Sequence, residues 1–225
     1  MKYSVIIPIF DEAQTLKTLL KEIELLRSEK IEFIIINDGS TDNTRKILES
    51  HKSSKITFTT NPINSGKGYA IKIGIDIASG EHLILFDGDQ ELDIEELPEL
   101  IKIYEQTNDI LIGKRWNLYD INDFSINTIG NHIINYLFNL LYNCKLNDVL
   151  CCVKIIPKDV LKSLEIKSNG FSIEIETMSK IIKKKLGVKE ALINYKRRSL
   201  DEGKKFKFIH GWKILYTMFY VKLKY

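Results

Sequence analysis

Asp87 and Asp89 are the two residues of this sequence whose type and spacing best suit metal chemistry. They follow an apolar run at 82–86, and residues two apart on an extended chain point to the same side. Two converging carboxylates repel each other unless a cation lies between them, and their oxygen atoms suit Mg²⁺ or Mn²⁺. A metal with so few protein ligands can also bind phosphate oxygens and offset the charge on a departing diphosphate. An acidic turn exposed to water is the alternative.

The elements that must position this pair alternate between strands and helices. Apolar runs predict strands at 3–9, 32–37, 55–60, 82–86 and 109–113, and helical spacing predicts helices at 13–29, 43–51, 67–79 and 94–106. This alternation is typical of an α/β fold with a mainly parallel central sheet and helices on both faces. Ligands bind at the carboxyl ends of such strands, where the acidic segments 10–12, 38–40 and 87–89 all lie.

Composition and short motifs exclude several other classes. The 225 residues fit one domain at 1–200 with a basic, aromatic tail at 201–225, and a net charge of +3 does not indicate nucleic-acid binding. The sequence has neither a GxGxxG after the first strand nor a P-loop motif. Three cysteines, two of them adjacent, indicate reduced thiols rather than disulfides or a zinc site. We see no signal peptide and no membrane-spanning apolar run, which predicts a cytoplasmic protein.

Four segments in order, 8–12, 37–42, 64–68 and 87–89, resemble the family-two glycosyltransferases (GT2), which have the nucleotide-diphospho-sugar transferase (GT-A) fold. The resemblance implies a UDP- or GDP-linked sugar donor and Mg²⁺ or Mn²⁺ as cofactor. It implies that Asp89 binds the metal directly, with Asp87 beside it. The nucleotide-binding residues that it implies are Pro8, Phe10, Glu12, Asp38, Ser40, Lys67 and Asp87. Taken alone, Pro8 could simply end a strand and Lys67 could be a surface lysine.

Segments in the second half are similar to one subgroup, dolichyl-phosphate mannosyltransferase and the bacterial polyprenyl-phosphate glycosyltransferases. They are 93–97, 113–115, 130–131, 147–148, 170–176 and 195–205. The similarity implies inverting transfer, by direct displacement, to the phosphate of a long isoprenoid lipid. An anionic phosphate needs positive charge to hold it in line more than it needs a base. The candidates for this contact are Arg115, Arg198, Lys204 and Lys205, and the catalytic candidates are Asp89, Arg115 and Arg198. A solvated basic face is the alternative for the later residues.

Three departures from the subgroup's pattern affect these expectations. Glu91 stands where the subgroup often has a metal-binding glutamine, so it becomes a third candidate metal ligand. Arg197 replaces a usual proline, and the loop near 125–127 lacks an expected arginine. A saccharide hydroxyl in surface polysaccharide synthesis therefore stays open as the acceptor, with Glu174 or Asp148 as general base. A nucleotidyltransferase is a further alternative, although no glycine-rich basic loop follows the first strand.

Two later segments bear on membrane contact. No Asp, Glu, Lys or Arg occurs from Phe124 to Cys144, where an apolar stripe accompanies five asparagines at four-residue spacing. Such a helix can lie in a bilayer interface or pack on its own sheet. The tail from Gly203 combines six lysines with aromatics and no acid, which suits an anionic membrane surface or a helix docked on the domain. Peripheral contact with the cytoplasmic face of a membrane, or with a membrane partner protein, is thus one of two alternatives.

Overall fold

The computed structural model describes residues 2–26, 29–51, 53, 55–116, 126–198 and 208–224. The strands in these residues are β1 (Tyr3–Ile9), β2 (Ile31–Asn37), β3 (Ile56–Thr60), β4 (His82–Leu85), β5 (Ile110–Lys114), β6 (Lys154–Pro157) and β7 (Val188–Leu192). The α-helices are α1 (Leu16–Leu25), α2 (Thr44–Ser50), α3 (Lys67–Ile77), α4 (Leu97–Glu105), α5 (Ile126–Tyr142), α6 (Lys158–Ser163), α7 (Ile173–Lys183) and α8 (Phe208–Lys224). A 3₁₀ turn, Ile94–Glu96, precedes α4.

These strands form one sheet in the order β3-β2-β1-β4-β6-β5-β7. Neighbours are parallel except that β6 runs antiparallel to both β4 and β5. The mainly parallel sheet predicted from the sequence is confirmed, although β6 and β7 were not among the predicted strands. The chain direction across the sheet reverses between β1 and β4, and such a switch point is where ligands bind in open α/β sheets.

Alternate residues of β1 enter two apolar layers, one on each side of the sheet. Val5 and Ile7 lie in a buried cluster with residues of α1, α2 and α4. Ile6, which points the other way, lies in a cluster with residues of α3, α5, α7 and α8. Helices therefore cover both faces of the sheet, as predicted, and a strand buried on both faces reads as a continuous apolar run.

Helix α5 turns Asn135 and Asn139 toward the protein and part of its apolar stripe to the outside. Asn135 is only 2% exposed, whereas Leu140 is 69% exposed. Asn135 and Asn139 each donate a hydrogen bond of 2.8 Å to the carbonyl of Leu146, and Asn135 accepts one of 3.0 Å from the Val149 N–H. These two asparagines thus fix the loop after α5, which carries residues of the site described below.

Helix α8 packs on α7 and α5. Its contact face consists of Ile214, Met218 and Val221, which are all buried. The described part of the tail therefore docks on the domain, which was one of the two alternatives. The predicted boundary at 200 and the predicted phosphate contacts Lys204 and Lys205 lie outside the described residues.

Candidate active site

The carboxyl ends of β1, β2 and β4 open onto a cavity of about 770 Å³. Its walls include the segments that follow these strands and residues of α3, α5, α7 and α8. Ten of the residues predicted for the site line it: Pro8, Phe10, Glu12, Asp38, Lys67, Asp87, Asp89, Glu91, Arg115 and Arg198. Residues spread over 190 positions of sequence thus meet at the sheet edge where ligands of such folds bind.

The acidic pair stands just beyond the end of β4. Oδ1 of Asp89 accepts a 3.1 Å hydrogen bond from the backbone N–H of Glu91. Burial, reinforced by the negative charges of Asp87 and Glu91, raises the pKa of Asp89 to about 7. Carboxylates that repel one another in a partly buried position fit a divalent cation, which would relieve that repulsion. Asp87 and Asp89 therefore fit the predicted metal.

Glu91, the third predicted metal ligand, forms hydrogen bonds with the segment after β7. Its Oε2 accepts a 3.1 Å hydrogen bond from the Tyr195 hydroxyl, and its Oε1 accepts one of 3.0 Å from the backbone N–H of Arg198. Among the described residues, no group of three Asp, Glu, His or Cys side chains is arranged to hold a metal ion. Glu91 is thus turned to the segment after β7, and its place beside Asp87 and Asp89 as a metal ligand stays a prediction.

Lys67, the first residue of α3, lies between two acids. Its Nζ is 2.8 Å from Oδ1 of Asp87 and 2.8 Å from Oε1 of Glu174. The other oxygen of Glu174 accepts from Lys154, which is completely buried. Burial alone would lower the pKa of Lys67, but Asp87 and Glu174 outweigh it and raise that pKa well above its usual value. The protein thereby fixes a positive charge beside the acidic pair.

Asp38 shapes the cavity through the loop before α3. Its carboxylate accepts hydrogen bonds from the Asn61 side chain (2.8 Å) and from the backbone N–H groups of Ser65 (3.0 Å) and Gly66 (2.7 Å). Gly66 has φ of +101°, and a Cβ there would lie 2.4 Å from the Asn169 carbonyl oxygen. Only glycine allows this backbone to approach so closely. The predicted contact of Asp38 with the base or ribose stays a prediction.

Ser40 serves the loop and not the cavity wall. Its Oγ accepts a 2.8 Å hydrogen bond from the Asp11 N–H and donates to Oδ1 of Asn37. Ser40 does not line the cavity, so the predicted nucleotide contact is not supported. In the same loop, Asp42 accepts from the backbone N–H of Thr44 at 2.8 Å, at the first turn of α2, in the manner of a helix cap.

A buried carboxylate holds each of the two predicted arginines. Arg115 donates through Nε (2.7 Å) and Nη2 (3.0 Å) to Asp148, and Arg198 donates through Nη1 (2.9 Å) and Nη2 (3.1 Å) to Glu12. Burial would lower the pKa of each arginine, but the paired carboxylate outweighs it and raises that pKa. Neither arginine therefore offers its whole fork to a ligand. Among the described residues, the Nε of Arg198 is buried and has no hydrogen-bond partner.

Sequence reasoning missed the contribution of α8 to the cavity. The lining residues from this helix are His210, Lys213, Ile214, Tyr216 and Thr217. Their spacing puts them on adjoining faces of one helix, a signal that has meaning only once the position of the cavity is known. Arg197, the departure from proline, also lines the cavity, and its Nη1 donates a 3.2 Å hydrogen bond to the Thr128 hydroxyl.

Residues 4–164 match the family model described as Glycosyl transferase family 2. The chain belongs to glycosyltransferase family 2. As a family 2 glycosyltransferase it is an enzyme with a GT-A fold, and the nucleotidyltransferase alternative falls away.

Two relatives of this family 2 glycosyltransferase have names that specify an acceptor. It is 28% identical over 223 residues to the prophage bactoprenol glucosyl transferase homolog of Escherichia coli K12, covering 95% of this chain and 69% of that protein. It is 28% identical over 174 residues to the dodecaprenyl-phosphate galacturonate synthase of Rhizobium johnstonii, covering 74% of this chain and 51% of that protein. The chain thus spans about half the length of the second relative.

A solved structure shows the same fold. Glucosyl-3-phosphoglycerate synthase from Mycobacterium tuberculosis, in complex with Mn²⁺, UDP-glucose and phosphoglyceric acid, superposes with a TM-score of 0.74 at 18% identity. The match covers 98% of this chain and 79% of that one. Among the described residues of this family 2 glycosyltransferase, we find no helix with the length and apolar character needed to cross a membrane.

Proposed function

We propose that this family 2 glycosyltransferase transfers a sugar from a UDP- or GDP-linked donor to a polyprenyl phosphate, with Mg²⁺ or Mn²⁺ held by Asp87 and Asp89. The observation that carries this proposal is that one cavity joins the acidic pair to the basic and aromatic residues of α8. The acidic end suits a diphosphate with its metal. The end at α8 suits an anionic group that carries an apolar chain.

The donor half of the proposal rests on fixed charges. When bound, the metal ion supplies positive charge that offsets the negative charge on the departing diphosphate. Lys67 supplies a second positive charge, and its pairing with Asp87 and Glu174 holds it in place before the donor arrives. Pro8 and Phe10 line the cavity and offer apolar surface to the nucleoside.

The acceptor half of the proposal rests on the surroundings of the two candidate general bases, Glu174 and Asp148. Burial alone would raise the pKa of Glu174, but Lys154 and Lys67 outweigh it and hold that pKa below its usual range, which makes Glu174 a weak base. Asp148 is 2% exposed, is paired with Arg115 and does not line the cavity. Neither acid suits the activation of a sugar hydroxyl, whereas a phosphate acceptor needs no such base. The names of the two relatives, with bactoprenol and dodecaprenyl phosphate, support the same acceptor class.

The proposal gives different roles to Arg198 and Arg115. Arg198 has Nη2 3.6 Å from Oδ2 of Asp89 and lines the cavity, so we assign it to orient Asp89 and to contact a phosphate. Arg115 positions the loop after α5 through Asp148. Lys204 and Lys205 stay predicted acceptor contacts.

The proposal includes peripheral contact with the bilayer that carries the acceptor. Helices α5 and α8 contact each other, and α8 carries three lysines. The two helices expose large apolar and aromatic side chains: Tyr136 (66%), Leu140 (69%), Trp212 (67%), Tyr216 (70%) and Leu223 (86%). Aromatic and aliphatic side chains beside lysines suit an anionic membrane surface. The double variant Trp212→Glu/Leu223→Glu should float less well with vesicles that contain anionic lipid, and binding that is unchanged would contradict this part.

The decisive experiment offers a panel of nucleotide sugars with Mn²⁺ and a polyprenyl phosphate, and measures release of the nucleotide and glycosylation of the lipid. Asp87→Asn and Asp89→Asn should each lower transfer by about 100-fold or more, because the cation loses a charged ligand. Asp76→Asn, at an exposed position of α3, is the matched control and should keep wild-type activity. Full activity of both site variants, or nucleotide release that does not depend on the lipid, would contradict the proposal.

A further inference from the structure

Helix α8 has three distinct faces. One is buried against the domain and contains Ile214, Met218 and Val221. A second faces the cavity and contains His210, Lys213 and Thr217. The third is exposed and apolar: Trp212, Tyr216, Phe219, Tyr220 and Leu223 are 67%, 70%, 46%, 38% and 86% exposed. At 100° per residue, Lys213 lies at the edge of the cavity face, where that face borders the exposed apolar face.

Lys213 differs from three other cations on the cavity wall. Lys67, Arg115 and Arg198 each form an ion pair with a carboxylate. Lys213 lines the cavity, is exposed, and forms no ion pair within the part of the chain that the structure describes. Its ammonium group is therefore available to an anion that enters the cavity from the side of α8.

The surroundings of Lys213 match the shape of an amphipathic anion. Tyr216, one turn further along α8, also lines the cavity, and its ring stacks on that of Tyr220 with 5.9 Å between the ring centroids. These rings continue from the cavity onto the exposed apolar face. A ligand with its phosphate at Lys213 would thus lay its first apolar units on Tyr216 and then leave along α8.

We infer that Lys213 binds the phosphate of the acceptor and that Tyr216 receives the beginning of its isoprenoid chain. This inference rests on the proposed function, since it names the acceptor's place within the same cavity. It assigns the acceptor contact to a lysine of the docked tail and not to the carboxylate-bound Arg115. Lys213 does not take part in donor binding, because the acidic pair and Lys67 serve the diphosphate.

The test uses the full chain with Lys213→Ala, Lys213→Arg and the control Lys222→Ala. Lys222 is also exposed on α8 but lies half a turn away around the helix, where its Nζ stands over the Tyr142 ring. Kinetics with a short-chain isoprenyl phosphate in detergent give KM for the acceptor, KM for the donor and kcat. Calorimetry with UDP or GDP and Mn²⁺ measures donor-site binding and shows that each variant is folded.

Lys213→Ala should raise the acceptor KM by roughly 10-fold, the effect of losing one charge-assisted hydrogen bond at an accessible position. Nucleotide affinity should not change, Lys213→Arg should restore much of the loss, and Lys222→Ala should behave as the wild type. Binding to anionic vesicles without acceptor should be equal for the two alanine variants. An acceptor KM that Lys213→Ala leaves unchanged, with or without a loss of vesicle binding, would overturn the inference and leave the proposed function standing. If the wild type transfers no sugar to the isoprenyl phosphate, both fall.

Discussion

Arg198 and Glu12 form a two-pronged ion pair that joins the segment after β7 to the loop after β1, with Nη1 2.9 Å from Oε2 and Nη2 3.1 Å from Oε1. The two residues are 186 positions apart in sequence. Nη2 of the same guanidinium lies 3.6 Å from Oδ2 of Asp89. The C-terminal part of the chain must therefore close over the sheet edge before the acidic pair has its final surroundings.

Replacing Glu12 should destabilise the fold as well as the site. Glu12→Ala leaves the largely buried guanidinium of Arg198 without its carboxylate, and we expect a loss of about 3 kcal/mol in the free energy of unfolding. The measurement is denaturant unfolding. Glu49→Ala is the matched control, because Glu49 pairs with Arg45 on an exposed helix surface and should cost less than about 0.5 kcal/mol. Equal losses for the two variants would show that the Glu12–Arg198 pair stabilises the fold no more than the exposed Glu49–Arg45 pair does.

Lys67 should govern donor affinity. Lys67→Met keeps the approximate length of the side chain but removes its charge, and we expect the affinity for UDP or GDP to fall by about 10- to 100-fold. Titration calorimetry with Mn²⁺ measures this loss. Lys17→Met, on the exposed side of α1, provides the control. Unaltered nucleotide affinity in the Lys67 variant would place the diphosphate elsewhere.

The strands and the acidic segments could be predicted from the sequence because a strand that is buried on both faces is a continuous run of apolar residues. β1 and β2 are continuous apolar runs, and the polar residues that end them stand out. β6 and β7 lack this signal. β6 has only four residues and includes the buried Lys154, while β7, at the edge of the sheet, reads Val-Lys-Glu-Ala-Leu.

The partners of the site residues could not be predicted, since they depend on contacts between distant parts of the chain. Nothing near Arg115 in sequence shows that Asp148 will hold it, and nothing near Glu91 indicates Tyr195. Residue type alone favoured a metal ligand at 91 and a phosphate contact at 115. In the folded chain, Glu91 accepts a hydrogen bond from Tyr195 and Arg115 pairs with Asp148.

Glu176 should make stability depend on acid pH. Its carboxylate accepts hydrogen bonds from the N–H groups of Lys167 (3.0 Å) and Ser168 (2.7 Å) and pairs with Lys180 at 2.7 Å. Burial would raise the pKa of Glu176, but these partners outweigh it and lower that pKa below the usual 4.5. A carboxylate with a depressed pKa in the folded state stabilises the protein above its unfolded pKa, and this contribution disappears as the pH falls through the folded value.

The free energy of unfolding of the wild type should therefore fall more steeply below pH 4.5 than that of Glu176→Gln. Above that pH the variant should be the less stable of the two. Denaturant unfolding at a series of pH values tests both statements, with Glu95→Gln as a control for the loss of one exposed carboxylate. Parallel curves for the wild type and Glu176→Gln would show that this carboxylate does not contribute to the acid sensitivity.

Replacing Asp148 tests whether this residue is a structural acid or a catalytic base. The carboxylate is 2% exposed, and it accepts from Nε, Nη2 and the backbone N–H of Arg115. Asp148→Asn should cost about 3 kcal/mol in the free energy of unfolding, because it leaves the Arg115 charge uncompensated. Transfer to a polyprenyl phosphate, per folded molecule, should change by less than about 10-fold, since such an acceptor needs no base.

A general base would behave differently in the same variant. If Asp148 took a proton from a sugar hydroxyl, Asp148→Asn would lower kcat by about 100-fold or more and remove the acidic limb of its pH profile. The profile of kcat against pH, measured where the variant is fully folded, therefore distinguishes the two roles. A wild-type profile combined with lower stability is the expected result, because Arg115 keeps this carboxylate away from the cavity.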